Sequence, residues 1–240
     1  MDSYKYFFDV DGTLTPSRQP IDDSFHDWFL SFCNENEVYL VTGSDYSKTY
    51  EQLGKSICES VKRVYCCSGN QVLEHGIVRR TNQWALPKMP HEWLSEKLCE
   101  SDFPLRTGNH FEHRYGTCNF SIVGRNATID ERNQYIEWDT KTNERINIAS
   151  EFNLLFNLIE ARAGGETGLD IVPKGFDKSQ VAKDFDEKDR LIFFGDRTDE
   201  GGNDYPLAKV IKERDNGRVV QVDGWQDCYA QLIKIINGDT

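Results

Sequence analysis

The stretch YFFDVDGTLT (residues 6–15) decides the fold of this 240-residue chain. Its three aromatic residues and Val10 form a short apolar run, which predicts a buried strand. The Asp-Gly step that follows predicts the turn that ends this strand. A carboxylate at such a strand end faces the crevice in which open α/β sheets bind ligands. The stretch therefore predicts an α/β protein with an acidic ligand site at one edge of its sheet.

Two carboxylates in this stretch suit phosphoryl transfer. Asp9 can attack a phosphorus centre and form an acyl-phosphate, as aspartate does in covalent catalysis. In an extended chain Asp11 points to the same side as Asp9, so it can protonate a leaving oxygen. Two clustered carboxylates also attract a hard cation such as Mg²⁺. The alternative is an ordinary strand that ends in an Asp-Gly turn, as many proteins have.

A second apolar run, residues 191–194, ends in Gly195-Asp196 and continues through a glycine-rich acidic loop to Asp204. Acidic groups at a strand end suit Mg²⁺ held by oxygen ligands. Alternatively, this segment is a solvated loop in which Asp204 caps a helix. Because two acidic strand ends can converge on one cation, we predict that this loop and the Asp9 loop share a metal site.

Two further segments carry candidate phosphate contacts. Thr42 or Ser44 offers a hydroxyl to a phosphoryl oxygen, and their loop offers backbone N–H groups. The alternative is an ordinary turn before a helix. Lys178 begins a predicted helix and can neutralise charge between a nucleophile, a metal and a phosphate, although a lysine at a helix start is usually solvated.

Composition narrows the choice of partners. The formal net charge of −12 and the pI of about 4.9, with charges scattered along the chain, argue against nucleic acid or an anionic membrane as a partner. An anionic small molecule could still bind, provided that local arginines override the negative charge of the whole chain. We predict no membrane span and no secretory leader. The seven cysteines form no C-x-x-C pair or zinc spacing, so we expect reduced thiols in a cytoplasmic protein.

Strand and helix patterns alternate over residues 5–81, which predicts a parallel sheet. From about Asn82 the pattern changes to helices near 91–99, 130–142 and 148–159 among alternating strands. After Pro173 the strand–helix alternation returns, with a helix predicted over 178–184. We therefore predict a doubly wound α/β core domain (1–81 plus 172–240) with an inserted α+β domain (82–171), a size typical of small domains.

The D-x-D-G-T-L-T string resembles the nucleophile motif of the haloacid dehalogenase (HAD) superfamily, and all four motifs of that superfamily occur in the expected order. Further pieces resemble the eukaryotic-type phosphomannomutases, a HAD branch with a cap inserted between the second and third motifs. These pieces span nearly the whole chain: 8–15 with 18–19, 43–45, 51–54, 111–114, 119–121, 124–125, 131–132, 170–173, 176–178, 193–196 and 201–204.

The resemblance implies a role for each matching residue. Asp9 would be the nucleophile, Asp11 the general acid/base and Lys178 a charge-neutralising partner. Mg²⁺ would be held by Asp9, by the Asp11 carbonyl and by Asp196, with Asp204 as a further metal residue of the acidic loop. The substrate-binding residues would be Arg18, Ser44, Arg114, Arg125, Arg132 and Asp170. Arginine suits this role because its planar guanidinium binds two phosphate oxygens at once.

By the same resemblance, the HAD-like core and its cap would interconvert mannose 6-phosphate and mannose 1-phosphate. The reaction would use an aspartyl-phosphate and a hexose 1,6-bisphosphate as activator, supply the precursor of GDP-mannose, and take place in a homodimer formed through the cap. The alternatives are a Mg-dependent HAD sugar-phosphate phosphatase and a non-catalytic binding protein. Two departures leave the sugar open between mannose and glucose: Gly168 stands where the family usually has a serine, and Thr42 replaces a glycine.

Overall fold

The computed structural model of the protein describes residues 4–164 and 166–238. It divides the chain into two compact units, Met1–Thr81 with Gly175–Thr240, and Asn82–Lys174. Within the described residues, no helix is both long enough and apolar enough to cross a membrane.

Eleven strands and seven α-helices make up the described chain. The strands are β1 (Lys5–Phe8), β2 (Glu37–Val41), β3 (Arg63–Cys66), β4 (Gln71–Glu74), β5 (Ile77–Thr81), β6 (Phe111–Arg114), β7 (Thr117–Phe120), β8 (Ile159–Gly164), β9 (Gly168–Pro173), β10 (Leu191–Gly195) and β11 (Gly217–Gln221). The helices are α1 (Asp23–Glu35), α2 (Tyr46–Ser60), α3 (Lys88–Glu100), α4 (Ile129–Thr142), α5 (Glu144–Leu155), α6 (Tyr205–Lys212) and α7 (Trp225–Asn237). Short 3₁₀ helices lie at Cys67–Gly69 and Lys178–Asp184.

The first unit is built on a seven-stranded sheet in the order β11-β10-β1-β2-β3-β4-β5. The strands from β11 to β3 are parallel, and β4 and β5 form an antiparallel edge. The chain continues from β1 to β2 on one side, while β10 pairs with β1 on the other. This arrangement puts a topological switch point at the carboxyl end of β1, where open α/β sheets bind ligands. The predicted parallel α/β core is confirmed.

Apolar cores cover both faces of this sheet. Phe8 of β1 packs in one core with Phe29 of α1 and Leu232 of α7. Phe7, its neighbour in sequence, packs in the other core with Leu207 of α6. Successive strand side chains alternate between faces, so one buried strand serves both cores. Helices on both faces make the sheet doubly wound.

The second unit has a four-stranded antiparallel sheet in the order β6-β7-β9-β8. Leu94 of α3, Tyr135 of α4 and Phe152 of α5 share one core with Phe120 and Ile171 of this sheet. The residues that alternate with these core positions are largely polar. They include four cross-strand neighbours, Glu112, Asn119, Asp170 and Arg162.

The prediction of a helix over residues 148–159 is wrong at its end. Helix α5 ends at Leu155, and the chain runs as strand β8 from Ile159. The apolar residues Ile148, Phe152 and Ile159 continue a helical spacing past the true end, which misled the prediction. The Asn153 side chain marks the change, since it donates to the Ala161 carbonyl (2.9 Å) and accepts from the Ala161 N–H (2.8 Å). The predicted helix over 178–184 exists as a 3₁₀ helix.

Candidate active site

A buried ion cluster lies where β1 and β10 end. Asp9 follows β1, and its N–H donates to the Phe194 carbonyl of β10 (2.9 Å). The Lys178 ammonium donates to Asp9 Oδ1 (2.5 Å) and to Asp204 Oδ1 (2.6 Å). All three side chains are almost completely buried. The lysine predicted to face the nucleophile thus contacts Asp9 directly.

Asp196 completes a group of three carboxylates. Asp9, Asp196 and Asp204 each offer an oxygen atom, and these atoms lie within 4.8 Å of one another. Gly12 allows this approach, since a Cβ at its position would lie 2.5 Å from Asp196 Oδ2. Its φ of +81° also favours glycine. The two acidic strand ends therefore converge, and their oxygen ligands suit a metal ion.

The charges in this cluster favour a bound cation. Burial raises the pKa of Asp9, and Asp204 and Asp196 raise it further, while Lys178 opposes them. Burial also raises the pKa of Asp196, and Asp204 adds to this effect. Burial alone would lower the pKa of Lys178, but Asp9 and Asp204 outweigh it and raise this pKa. Three carboxylates around one ammonium leave an excess of negative charge, which a metal ion would offset.

Asp11 lies in a separate network in the same loop. Its Oδ1 accepts from the Arg18 backbone N–H (2.7 Å) and from Gln52 Nε2 (3.0 Å), and the Ser44 hydroxyl lies 3.4 Å from Oδ2. The structure therefore brings Asp11 and Ser44 together, while the Arg18 side chain is exposed. The Asp11 carboxylate is not one of the three clustered groups, so metal ligation by its carbonyl stays a prediction.

The predicted arginines of the second unit are paired with carboxylates. Glu112 Oε2 lies 3.0 Å from the Arg114 guanidinium and 2.5 Å from Arg125 Nε. These two arginines lower the pKa of Glu112 against the opposing effect of burial. The Arg132 guanidinium lies 3.7 Å from a different carboxylate, that of Glu166. The structure thus brings two of the three arginines together through a shared acid.

Asp170 lies on the polar face of the sheet in the second unit. Asn119 Nδ2 donates to Asp170 Oδ1 (2.7 Å), and the two residues are partners in register. On the other side, Asp170 faces Arg162 across β8 and β9. A Cβ at Gly168 would lie 2.7 Å from the Asn119 amide. Glycine at this position therefore leaves room for that amide, whereas the side chain of a serine would not.

Several residues around these sites were missed by the sequence analysis. Gln52 lies in the matching segment 51–54, but its contact with Asp11 depends on a fold that brings α2 to the Asp9 loop. Glu112 and Asn119 lie in the matching segments 111–114 and 119–121, but Asn119 and Arg162 come beside Asp170 through strand register. The alternation of Glu112 with Arg114 was the one local signal, because residues two apart in a strand share a face.

Comparison with known proteins identifies the family to which the chain is similar. A family model described as "Eukaryotic phosphomannomutase" matches residues 25–237. A phosphomannomutase of Arabidopsis thaliana is 32% identical over 85% of this chain and 87% of that protein. Phosphomannomutase 1 of Mus musculus is 32% identical over 83% of this chain and 81% of that protein. The matched range of the family model begins after the Asp9 loop. The role of that loop is therefore argued from its geometry alone.

Solved structures of lower identity share the fold. An IMP-nucleotidase of Plasmodium falciparum superposes with a TM-score of 0.63 at 18% identity, over 98% of this chain and 68% of that chain. A haloacid dehalogenase-like hydrolase from Bacteroides thetaiotaomicron gives a TM-score of 0.61 at 16% identity, over 98% of this chain and all (100%) of that chain. These likenesses establish a HAD-like fold. The family model over residues 25–237 and the relatives at 32% identity show that the chain belongs to the eukaryotic phosphomannomutase family.

Proposed function

We propose that this protein is a phosphomannomutase, which interconverts mannose 6-phosphate and mannose 1-phosphate. The observation that carries the proposal is the buried contact of Lys178 with Asp9, beside Asp196 and Asp204, in a chain of this family. A buried carboxylate paired with an ammonium is held ready to accept a phosphoryl group, and the ammonium offsets charge on the transferred group.

In the proposed reaction, Asp9 carries the phosphoryl group as an aspartyl-phosphate. The phosphorylated enzyme would pass this group to the free hydroxyl of a hexose monophosphate and form a hexose 1,6-bisphosphate. After the bisphosphate reorients, its other phosphate would return to Asp9. Asp11 would remove the proton from the attacking hydroxyl and return a proton to the leaving oxygen. Added hexose 1,6-bisphosphate would act as activator because it phosphorylates Asp9.

We propose Mg²⁺ as the metal of this site. Asp9, Asp196 and the Asp11 carbonyl would hold it, with Asp204 supporting the cluster through Lys178. Oxygen ligands of this kind suit Mg²⁺, and the cluster carries excess negative charge. When bound, the metal would neutralise charge on the phosphoryl group.

The arginines of the second unit support a mutase rather than a simple phosphatase. A mutase must bind the phosphate that is not being transferred, at whichever end of the sugar it stands. We propose that Arg114, Arg125 and Arg132 bind this phosphate, that Asp170 binds a sugar hydroxyl, and that Arg18 and Ser44 bind on the side of the core. Phosphate would then replace Glu112 as the partner of Arg114 and Arg125, through charge-assisted hydrogen bonds.

We also propose that the second unit forms a homodimer. Leu154, Leu155 and Leu158 lie close together in sequence at the end of α5 and are strongly exposed. An exposed apolar patch of this kind is typical of interaction sites. Light scattering coupled to size-exclusion chromatography would measure the mass of the protein, and a Leu154→Glu, Leu158→Glu variant should be monomeric.

One assay tests the proposed activity. The protein is incubated with Mg²⁺, mannose 1-phosphate and catalytic glucose 1,6-bisphosphate, and mannose 6-phosphate is measured beside free phosphate. We expect isomerisation to exceed phosphate release, to stop in EDTA and to resume when Mg²⁺ is restored. Glucose 1-phosphate run in parallel tests the sugar preference. If free phosphate forms faster than mannose 6-phosphate, the protein is a phosphatase and the mutase proposal is wrong.

A further inference from the structure

Gln52 commits its side-chain amide to the loop that carries the acidic pair. Its Nε2 donates to Asp11 Oδ1 (3.0 Å) and to Thr15 Oγ1 (3.0 Å). The Thr15 hydroxyl is itself a donor to the Val10 carbonyl (3.3 Å), so it accepts from the amide. An amide nitrogen has two hydrogens, and both have acceptors here. This fixes the amide with its nitrogen toward Asp11, at a position that is 7% exposed.

The two oxygens of Asp11 have different surroundings. Oδ1 accepts two hydrogen bonds, from Gln52 Nε2 and from the Arg18 backbone N–H (2.7 Å). The Oδ2 atom faces only the Ser44 hydroxyl among the described contacts, at 3.4 Å. A carboxylate oxygen offers about two lone-pair sites, so Oδ1 is saturated. Only Oδ2 has room to carry a proton or to meet a substrate oxygen.

The backbone of α2 holds Gln52 against this loop. Gly54, two residues further on, breaks the helix with φ +76° and ψ 168°. The Gln52 carbonyl consequently accepts from the Ile21 N–H (2.8 Å) rather than continuing the helix. Backbone and side chain of one residue therefore tie α2 to both ends of the segment 11–21, which contains Arg18.

We propose that Gln52 is a positioning residue, which holds Asp11 through Oδ1 and directs Oδ2 to the sugar oxygen. The inference rests on the proposed function, with Asp11 as the general acid/base. In transfer to the enzyme, the bond between phosphorus and the sugar oxygen breaks while an Asp9 oxygen bonds to phosphorus. The electron pair of the broken bond stays on the sugar oxygen, which takes the proton from Asp11 Oδ2. Asp11 is left as a carboxylate, still held by Gln52.

Comparing two leaving groups distinguishes a positioning role of Gln52 from a merely structural one. A sugar alkoxide needs a proton as it leaves, whereas 4-nitrophenolate leaves without one. The variant Gln52→Met keeps the length of the side chain and removes the donor. Since misplaced catalytic groups cost about a hundredfold, we expect a ten- to hundredfold loss of transfer from mannose 1-phosphate. The initial rate of 4-nitrophenolate release from 4-nitrophenyl phosphate should change less than about threefold, because general acid catalysis contributes little there.

Gln180→Met is the matched control. Gln180 is also buried, and its Nε2 donates to the Ser68 carbonyl (2.8 Å) without touching Asp11. We expect this variant to lower the two rates by the same factor. If Gln52→Met also lowers them by the same factor, Gln52 is structural and the inference is wrong.

A double variant gives a second test of the role of Gln52. In an Asp11→Asn background, Gln52→Met should cause no further loss with the alkyl ester, because the group it positions is absent. A full second loss there would overturn the inference. The comparison needs only an alkyl phosphate that the wild type turns over. If the protein proves to be a phosphatase, the proposed function is wrong. The Gln52 variants would still test the positioning role, because they need only this alkyl phosphate.

Discussion

The residues that we propose to carry the chemistry are paired in ways that cost folding energy. Burying the carboxylates of Asp9 and Asp204 around a single ammonium, with the partly exposed Asp196 beside them, requires desolvation that one ion pair does not repay. Burial is the main cause that raises the pKa of Asp9, and the carboxylates of Asp204 and Asp196 add to it. Such strain is expected where a site is shaped for a cation and a phosphoryl group rather than for stability.

Asp9→Asn separates the catalytic from the structural contribution of this carboxylate. The amide cannot attack phosphorus, so turnover of sugar phosphate should fall by several orders of magnitude. One negative charge leaves an over-charged buried cluster, and the amide oxygen can still accept from Lys178. The midpoint of thermal unfolding should therefore stay the same or rise. Steady-state kinetics and calorimetry measure the two effects.

The control for this variant is Asp27→Asn on α1, where the side chain is 92% exposed. It should keep both activity and stability. Activity that persisted in Asp9→Asn would assign the nucleophile elsewhere, and a large fall in its unfolding midpoint would show that the charge stabilises the fold.

At this scale the sequence suggested candidate reactive groups more readily than the residues that contact them. Asp9, Asp196 and Lys178 lie in local sequence motifs whose residue types are typical of catalytic and metal sites. The structure brings these three residues together with Asp204. Gln52 and Asn119 carry no such signal. Their contacts depend on strand register or on helix packing, and neither can be predicted from a single sequence.

At the scale of elements, Gly54→Ala distinguishes a broken helix from a continuous one. In an ordinary helix, alanine in place of glycine stabilises by about 1 kcal/mol. Gly54 has φ +76° and ψ 168°, and a Cβ there would meet nothing within 4 Å, so the cost is conformational. Such backbone states cost about 1–3 kcal/mol for other residues. We therefore expect the free energy of unfolding in urea to fall by that amount.

Glu51→Ala, at an exposed position of the same helix, should change this free energy by less than about 0.5 kcal/mol. A stabilised Gly54→Ala protein would mean that α2 is continuous in solution, and the Gln52 carbonyl would then lose its bond to Ile21.

Elements with strong periodicity were predicted well, and the failures have physical causes. The β–α alternation of the core gave the parallel sheet because each buried strand is an unbroken apolar run. Strand β8 was missed because its residues Glu160, Ala161, Arg162 and Ala163 include few strongly apolar or β-branched side chains. Its pairing with β9 and its contact with Asn153 define it as a strand, and both are tertiary.

At the scale of the whole molecule, the two units have separate cores. The buried members of the second unit's core all come from one continuous segment, which begins at Leu86 and ends at Ile171. The cores of the first unit draw on both ends of the chain, with Phe8 packed beside Phe194. The change of pattern near Asn82 was the basis on which the sequence analysis placed the start of an insert. The exact end of the insert was harder to predict, since β9 runs through the predicted boundary at 171 to Pro173.

This difference predicts that residues 82–174 fold without the rest of the chain. A segment with its own continuous core can satisfy its apolar surface by itself, whereas residues 4–81 lack the strand β10 that pairs with β1. The excised segment should show dispersed amide resonances and a single cooperative thermal transition. Leu94→Ala, at a fully buried position of α3, should destabilise it by about 2–5 kcal/mol. An excised segment without a cooperative transition would mean that its core depends on residues outside 82–174, and it would refute the division into two independently stable units.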